Sequence, residues 1–196
     1  VSAADPTTDP RSDHELLRAH VDGDEHAFAE LVRRHSDRLW SLALRTVRNH
    51  QDAEDALQEA LISAFRRAES FRGDSAVTTW LHRVVVNACL DRIRRNQARR
   101  AEPLPERTDT ELAAGGGTVD EADTGLVRMD VQDALGRLNA DQRAALVLVD
   151  MEGYSVDEAA RILGCAPGTV KSRCARGRAR LAPLLAHLDP TPQDVR

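Results

Sequence analysis

The stretch that most constrains this chain runs from Tyr154 to Leu181, YSVDEAARILGCAPGTVKSRCARGRARL, because its spacing dictates two helices joined by a tight turn. Ser155 and Glu158 form an S-x-x-E capping box, so a helix starts there with Val156, Ala159, Ala160 and Leu163 on one face, and Gly164 ends it. Pro167 suits the first position of the next helix, where its missing N–H would be unpaired anyway. Val170, Cys174, Gly177 and Leu181 then recur at spacings of 4, 3 and 4 and face inward. The opposite face carries Thr169, Ser172, Arg173, Arg176 and Arg180, flanked by Lys171 and Arg178, and no acid occurs between Glu158 and Asp189. Hydroxyls and cations so placed can meet phosphates and base edges, as in a helix-turn-helix DNA reader. The plainer alternative is a solvated basic face on a terminal helix.

Aromatics make up only 3% of the 196 residues, and alternating β-branched runs are missing, so the structured parts should be almost wholly helical. With 41% apolar content, two small domains fit the length better than one large one. The expected fold is therefore all-α, two small helical domains joined by a flexible acidic linker. The net charge of −5 hides a segregation. Six arginines and one acid lie between His82 and Arg100, against seven acids and one arginine between Ala101 and Gly125. Cys89, Cys165 and Cys174 are odd in number and lack C-x-x-C spacing, which disfavours a disulfide framework and a zinc site. His14 and His20 are six apart, not the four that would place two metal ligands on one helix face. No cofactor or metal is expected. A signal peptide and any apolar run of about 18 residues are missing, so the expectation is a cytoplasmic chain with no direct membrane insertion.

Residues 1–12 read as a disordered leader, polar and without period. A first domain, 13–100, opens on a short helix ending at Asp22-Gly23-Asp24 and continues with a long helix from Glu25 to about Arg48. Asn49-His50 breaks it. Asp52, Glu54 and Asp55 then sit at a new helix N-terminus, where carboxylates interact well with the dipole. One side of that helix buries alanines and leucines. The other shows Glu54, Asp55, Gln58, Glu59 and Ile62, either an ordinary solvated face or a docking surface for a basic partner. A turn at Phe71 to Ser75 precedes a helix from Thr78 to about Gln97, with Trp80, Leu81, Val84, Val85, Ala88, Cys89 and Ile93 inward and Arg83, Asn87, Asp91, Arg94 and Arg95 outside. An aromatic, hydroxyl-bearing loop beside an arginine-rich helix suits single-stranded bases; a core helix with a soluble outer face fits equally well. Residues 101–125, with Pro103, Pro105 and three glycines at 115–117, read as the linker, and the glycines lack the continuation of a phosphate loop. A second domain, 126–188, holds the reader unit on a helix capped by Asn139 or Asp141, and 189–196 form a tail.

Four motifs in register, D-A-E-D-A-L-Q-E-A at Asp52 to Ala60, F-R-G-D-S-A-V-T-T-W-L-H-R at Phe71 to Arg83, V-V-N-A-C-L-D-R-I-R-R at Val85 to Arg95 and G-T-V-K-S-R at Gly168 to Arg173, resemble the extracytoplasmic-function (group 4) sigma factors of the sigma-70 family. The resemblance spans Asp13 to Leu188 and is nearest to actinobacterial members. It implies a promoter-specificity subunit without catalytic chemistry or small-molecule substrate, serving a specific, stress-responsive regulon. By resemblance, Asp52, Asp55, Gln58, Glu59 and Ile62 dock on the β′ clamp helices of core RNA polymerase, with the β subunit a further contact. Phe71, Asp74, Ser75, Thr78, Trp80, Arg83 and Asn87 would bind the −10 promoter element and its flipped bases, and Thr169, Lys171, Ser172, Arg173 and Arg176 the −35 element. An anti-sigma factor is a further partner the resemblance implies.

The chain departs from the family where Ala166 replaces the usual hydroxyl cap, and Ala175 and Gly177 thin the reading helix. Two other functions stand beside this one: a dimeric helix-turn-helix repressor or activator binding paired half-sites, and a helical enzyme. The enzyme would need convergent titratable groups, and the seven histidines are scattered.

Overall fold

The computed structural model describes residues 9–101 and 122–188. Residues 1–8 of the expected leader, 102–121 of the expected linker and the 189–196 tail lie outside the described residues. Asp9 to Arg11 are held in place. Arg11 pairs with Asp9 at 2.6 Å and Asp24 at 2.8 Å, and Arg34 donates to the Arg11 carbonyl at 2.7 Å.

The first unit has four helices. In α1 (Asp13–Val21) Ser12 and Glu15 form a capping box, and Gly23 turns the chain at φ 102°. Helix α2 (Ala27–Val47) ends at Arg48, which takes the left-handed conformation at φ 72°. Asn49 caps α3 (His50–Arg67) by accepting the Asp52 N–H at 3.0 Å. A 3₁₀ turn and a bend at Gly73 then lead into α4 (Val77–Ala101). Helices α2, α3 and α4 pack on one another, with α1 against α2. The fully buried positions of α3 are all alanine, Ala53, Ala56, Ala60 and Ala64. Side chains that small let its backbone approach close to the larger residues of its neighbours, among them Leu39, Leu42, Leu81 and Val85.

In the second unit α5 (Ala122–Gly136) starts inside the stretch read as linker. Asn139 caps α6 (Ala140–Leu146), accepting the Gln142 N–H at 2.8 Å. The chain then widens into one π turn, Val147–Met151, in which the Glu152 N–H reaches back five residues to the Val147 carbonyl at 2.9 Å. The Ser155–Glu158 capping box opens α7 (Val156–Leu163) as its spacing requires, and Gly164 ends it at φ 63°. Helix α8 (Pro167–Leu185) begins at Ala166, without a side-chain cap and with proline in its first turn. Val170, Cys174 and Gly177 are buried, and α8 packs on α6 and α7. A Cβ at Gly177 would stand 2.5 Å from Leu146 Cδ1, so only glycine allows this helix crossing without displacement.

The two units pack together, α2 and α4 of the first against α6, the π turn and α7 of the second. This explains a discrepancy on α4. The residues expected inward are buried or half-buried, but so are His82, Val86 and Leu90 on a second face. A helix buried on two sides has no single apolar stripe, and a one-sided reading misses half of its contacts. The Tyr154 hydroxyl lies 2.9 Å from His82 Nδ1, and the rings meet edge to face at 5.7 Å. Among the described residues His82 Nε2 is buried without a hydrogen-bond partner. Glu152, its side chain 4% exposed, pairs with Arg38 at 3.0 Å and Arg45 at 3.1 Å. Arg143 is buried and its Nε donates to the Thr46 carbonyl at 2.7 Å. Arg48 Nη1 donates to the Gly136 carbonyl at 3.2 Å across a surface where a Cβ on Gly136 would overlap the guanidinium.

Two outcomes are expected. Gly177→Val should lower stability by about 1–3 kcal/mol through overpacking, read as a fall in the urea midpoint. Burial pushes His82 down to about 4, so between roughly pH 6.5 and 4 the unfolded chain binds more protons than the folded one. Stability is full above that window and is lost as pH falls through it. The thermal midpoint of a His82→Gln chain should therefore drop less steeply than that of the native chain over the same range.

Candidate nucleic-acid and polymerase interfaces

Helix α3 presents the expected acidic strip, and α4 reaches over it. Arg92, its side chain 21% exposed, donates to Asp52 at 3.0 Å and Glu59 at 3.4 Å and is paired with Asp55. Arg95 takes Glu59 at 2.6 Å, and Asn96 donates to Asp52 at 3.0 Å. The Asp52 bond above all, with Asp55 beside it, holds the Arg92 guanidinium above its ordinary range against the opposing effect of burial. Three of the five residues in the docking set are thus engaged inside the molecule. Gln58 and Ile62 stand exposed, Ile62 at 45%. The sequence placed Arg92 and the strip on different helices, and no spacing rule connects positions 37 residues apart.

The set assigned to the −10 element divides. Trp80, Arg83 and Asn87 of α4 line one groove of about 890 Å³, facing Ser63 and Arg67 of α3 and bounded by Arg94 and Arg95. Phe71 turns away into a smaller hollow of about 210 Å³ with His14, Leu17 and Arg18. Its ring lies between those of His14, at 5.3 Å, and Trp80, at 5.6 Å, and so supports the indole from behind. Asp74 and Ser75 are exposed on the bend, and Thr78 is half-buried in the first turn of α4. Sequence reasoning missed the α3 wall. Its signal was Glu59, Ser63 and Arg67 at spacing i, i+4, i+8, a polar stripe beside the alanine stripe.

On α8, Lys171, Ser172 and Arg176 are exposed and Thr169 half-buried. Arg173 is anchored to Asp141 of α6 at 2.6 Å, with Cys165 Sγ 3.6 Å away. Arg176 folds back on Ser172 at 3.2 Å, and Arg178 grips Asp150 through two bonds of 2.9 and 2.6 Å. The reading face therefore offers fewer unengaged cations than its composition suggests. Cys89 is buried, which pushes its thiol up to about 12, and Cys174 is buried in the α8 contact. Among the described residues no helix is long and apolar enough to cross a membrane, and no cluster of three or more potential ligands could hold a metal ion.

Two unlike helical units, each with a cationic surface that can follow a nucleic-acid backbone, also occur together in known proteins. Residues 31–99 match the family model Sigma-70 region 2, and residues 128–181 match Sigma-70, region 4. The chain is 54% identical over 179 residues to the ECF RNA polymerase sigma factor SigM of Mycobacterium tuberculosis strain H37Rv, covering 91% of this chain and 87% of the relative. Among solved structures, CnrH in complex with the cytosolic domain of CnrY superposes with a TM-score of 0.63 at 28% identity, over 89% of this chain and 97% of that one. The sigma factor RpoE of Bartonella quintana, in complex with the anti-sigma factor NepR, gives 0.62 at 30% identity over 82% and 98%.

If Arg92 is the shared counter-ion of α3, Arg92→Ala should destabilise the first unit by at most about 1 kcal/mol at low salt and by less in 1 M salt. Urea unfolding at the two ionic strengths measures both.

Proposed function

The chain belongs to the extracytoplasmic-function sigma factors of the sigma-70 family, noncatalytic initiation factors of RNA polymerase, and from that premise we propose how its two units divide the work. The first unit docks on the β′ clamp helices through α3 and holds the melted −10 strand; the second reads the −35 duplex through α8. The observation that carries this reading is the α3–α4 groove, where Trp80, Arg83 and Asn87 converge.

Docking uses Gln58 and Ile62 as its contact core, with Asp52, Asp55 and Glu59 available to a basic partner once Arg92 shifts. In the groove, a base extruded from the duplex stacks on Trp80, while Arg83 takes backbone charge and Asn87 offers an amide to a base edge. Phe71 and Thr78 support that wall, and Asp74 and Ser75 on the bend meet the strand as it enters. Extrusion loses a few kcal/mol of stacking and pairing, and one aromatic contact returns about 1–3 kcal/mol per base, so polymerase must supply the rest. On α8, Lys171 and Arg176 engage phosphates or guanine edges, Ser172 and Thr169 add hydroxyl contacts, and Arg173 is held in a fixed orientation by Asp141.

Neither DNA face binds strongly alone. Core polymerase joins them into one multivalent reader. An anti-sigma factor is a further partner, as RpoE has in its solved complex. The chain acts in the cytoplasm and at the nucleoid when bound to polymerase. Two unlike units argue against a dimeric repressor with paired half-sites.

Purified core polymerase with this chain should initiate transcription from a cognate promoter and not without it. Ile62→Asp should abolish that by loss of polymerase binding. Trp80→Ala should weaken single-stranded −10 binding by the holoenzyme about five- to 150-fold, the equivalent of one stacked base, and leave −35 duplex binding unchanged. Arg176→Ala should do the reverse and flatten the salt dependence of duplex binding; equal losses on both DNAs would reject this division.

A further inference from the structure

Building on the −10 role given to the α3–α4 groove, we propose that Arg67 of α3 is a DNA contact in its own right, gripping a backbone phosphate of the single strand from the wall opposite Arg83. Helix α3 then serves polymerase on one flank and DNA on the other.

Charge is distributed unevenly along the groove. Helices α3 and α4 run antiparallel: Asn96 reaches Asp52 at 3.0 Å near one end, while Arg67 in the last turn of α3 and Trp80 in the first turn of α4 line the same cavity. The cations of the cavity are Arg67, Arg83, Arg94 and Arg95. Arg95 is taken by Glu59 at 2.6 Å and Arg94 by Asp91 at 2.9 Å, so that end is close to neutral. Among the described residues Arg67 and Arg83 have no ion-pair partner, and both are exposed. The uncompensated charge therefore sits at the Trp80 end, one guanidinium on each wall. A nucleotide stacked on the indole has a phosphate on either side of its sugar. Two walls with one cation each match that arrangement, whereas α4 alone would leave one phosphate to water.

The end of α3 is built to hold Arg67 in place. The Ser70 hydroxyl donates to the Arg67 carbonyl at 2.6 Å, and a 3₁₀ turn anchored by the buried Ala68 continues the helix. An otherwise open end carbonyl is thus satisfied, and the backbone carrying the guanidinium is fixed. Ser63, half-buried one turn earlier, adds a hydroxyl donor to the same wall. At 3.6 residues per turn, Ser63 and Arg67 stand about 140° around α3 from Gln58 and Ile62, so a partner on the docking face leaves this wall open to a strand. A cation on a phosphate carries no base information. Arg67 sets the strength and salt dependence of strand binding, and Asn87 keeps the base reading.

The test is the salt dependence of holoenzyme binding to a fluorescent single-stranded oligonucleotide carrying the non-template −10 element, read by anisotropy. On a single strand each neutralised phosphate contributes about 0.7 to the slope of log K against log salt. Arg67→Ala should lower the slope by about 0.7, a loss of affinity that grows about five-fold between 1 M and 0.1 M salt, to the same extent on two different −10 sequences. Arg67→Lys should keep the native slope, and Arg67→Ala with Arg83→Ala should lower it by about 1.4, the equivalent of two phosphates. Affinity for core polymerase should stay within about two-fold of native in all three, because Gln58 and Ile62 are untouched. An unchanged slope in Arg67→Ala, with Trp80→Ala still weakening strand binding, would overturn the Arg67 contact and leave the −10 role of the groove standing. If Trp80→Ala has no effect either, both fall together. A double variant no shallower in slope than either single one would overturn the two-phosphate arrangement, and lost polymerase affinity in Arg67→Ala would make Arg67 a docking residue instead.

Discussion

Helix α4 is used on three sides at once, and the molecule is arranged around that constraint. One side packs with α2 and α3 through Leu81, Val85 and Cys89. A second, with His82, is covered by the second unit. The remaining strip, with Arg83, Asn87, Arg94 and Arg95, forms a groove wall. A single helix thus fixes the core, the junction between units and one wall of the α3–α4 groove. Its inner stretch has little freedom to vary: an enlarged residue there is felt in packing, and a charge would be buried without a partner.

Local grammar was legible in the sequence. The Ser155–Glu158 box, the left-handed Gly164, the Asn139 cap and the inward set Val170, Cys174 and Gly177 all stand where capping and helical period put them. So did the division into two helical units, and four motifs in register carried the family. What did not show were pairings between distant positions. Arg92 closing over Asp52, Asp55 and Glu59, and Glu152 set between Arg38 and Arg45, depend on how helices cross, and period within one helix says nothing of that. The −10 set was drawn as one surface because its residues are contiguous in the chain. The bend at Gly73 separates them, so that Phe71 backs the groove while Trp80 lines it.

The reader unit shows how a small domain limits its own freedom before meeting DNA. Asp141 holds Arg173, Asp150 holds Arg178, and Ser172 folds Arg176 onto the helix. Each bond removes rotamers that binding would otherwise have to freeze, at the cost of competing with phosphate for the same donors. Although Ala166 offers no side-chain cap, its carbonyl accepts from the Thr169 and Val170 N–H groups at 2.9 and 3.3 Å, and Pro167 has no N–H to satisfy, so the first turn of α8 closes on backbone bonds.

The guanidinium lying over α3 has an effect on thermodynamics as well as on shape. An acidic helix facing bare solvent gathers mobile cations and gives them up when a basic partner arrives, and their release makes such association fall steeply with ionic strength. Here the counter-ion is covalently part of the molecule. A partner's lysine or arginine would trade places with Arg92 and liberate few ions, leaving an attachment that tolerates wide swings in cellular potassium far better than the count of carboxylates would suggest.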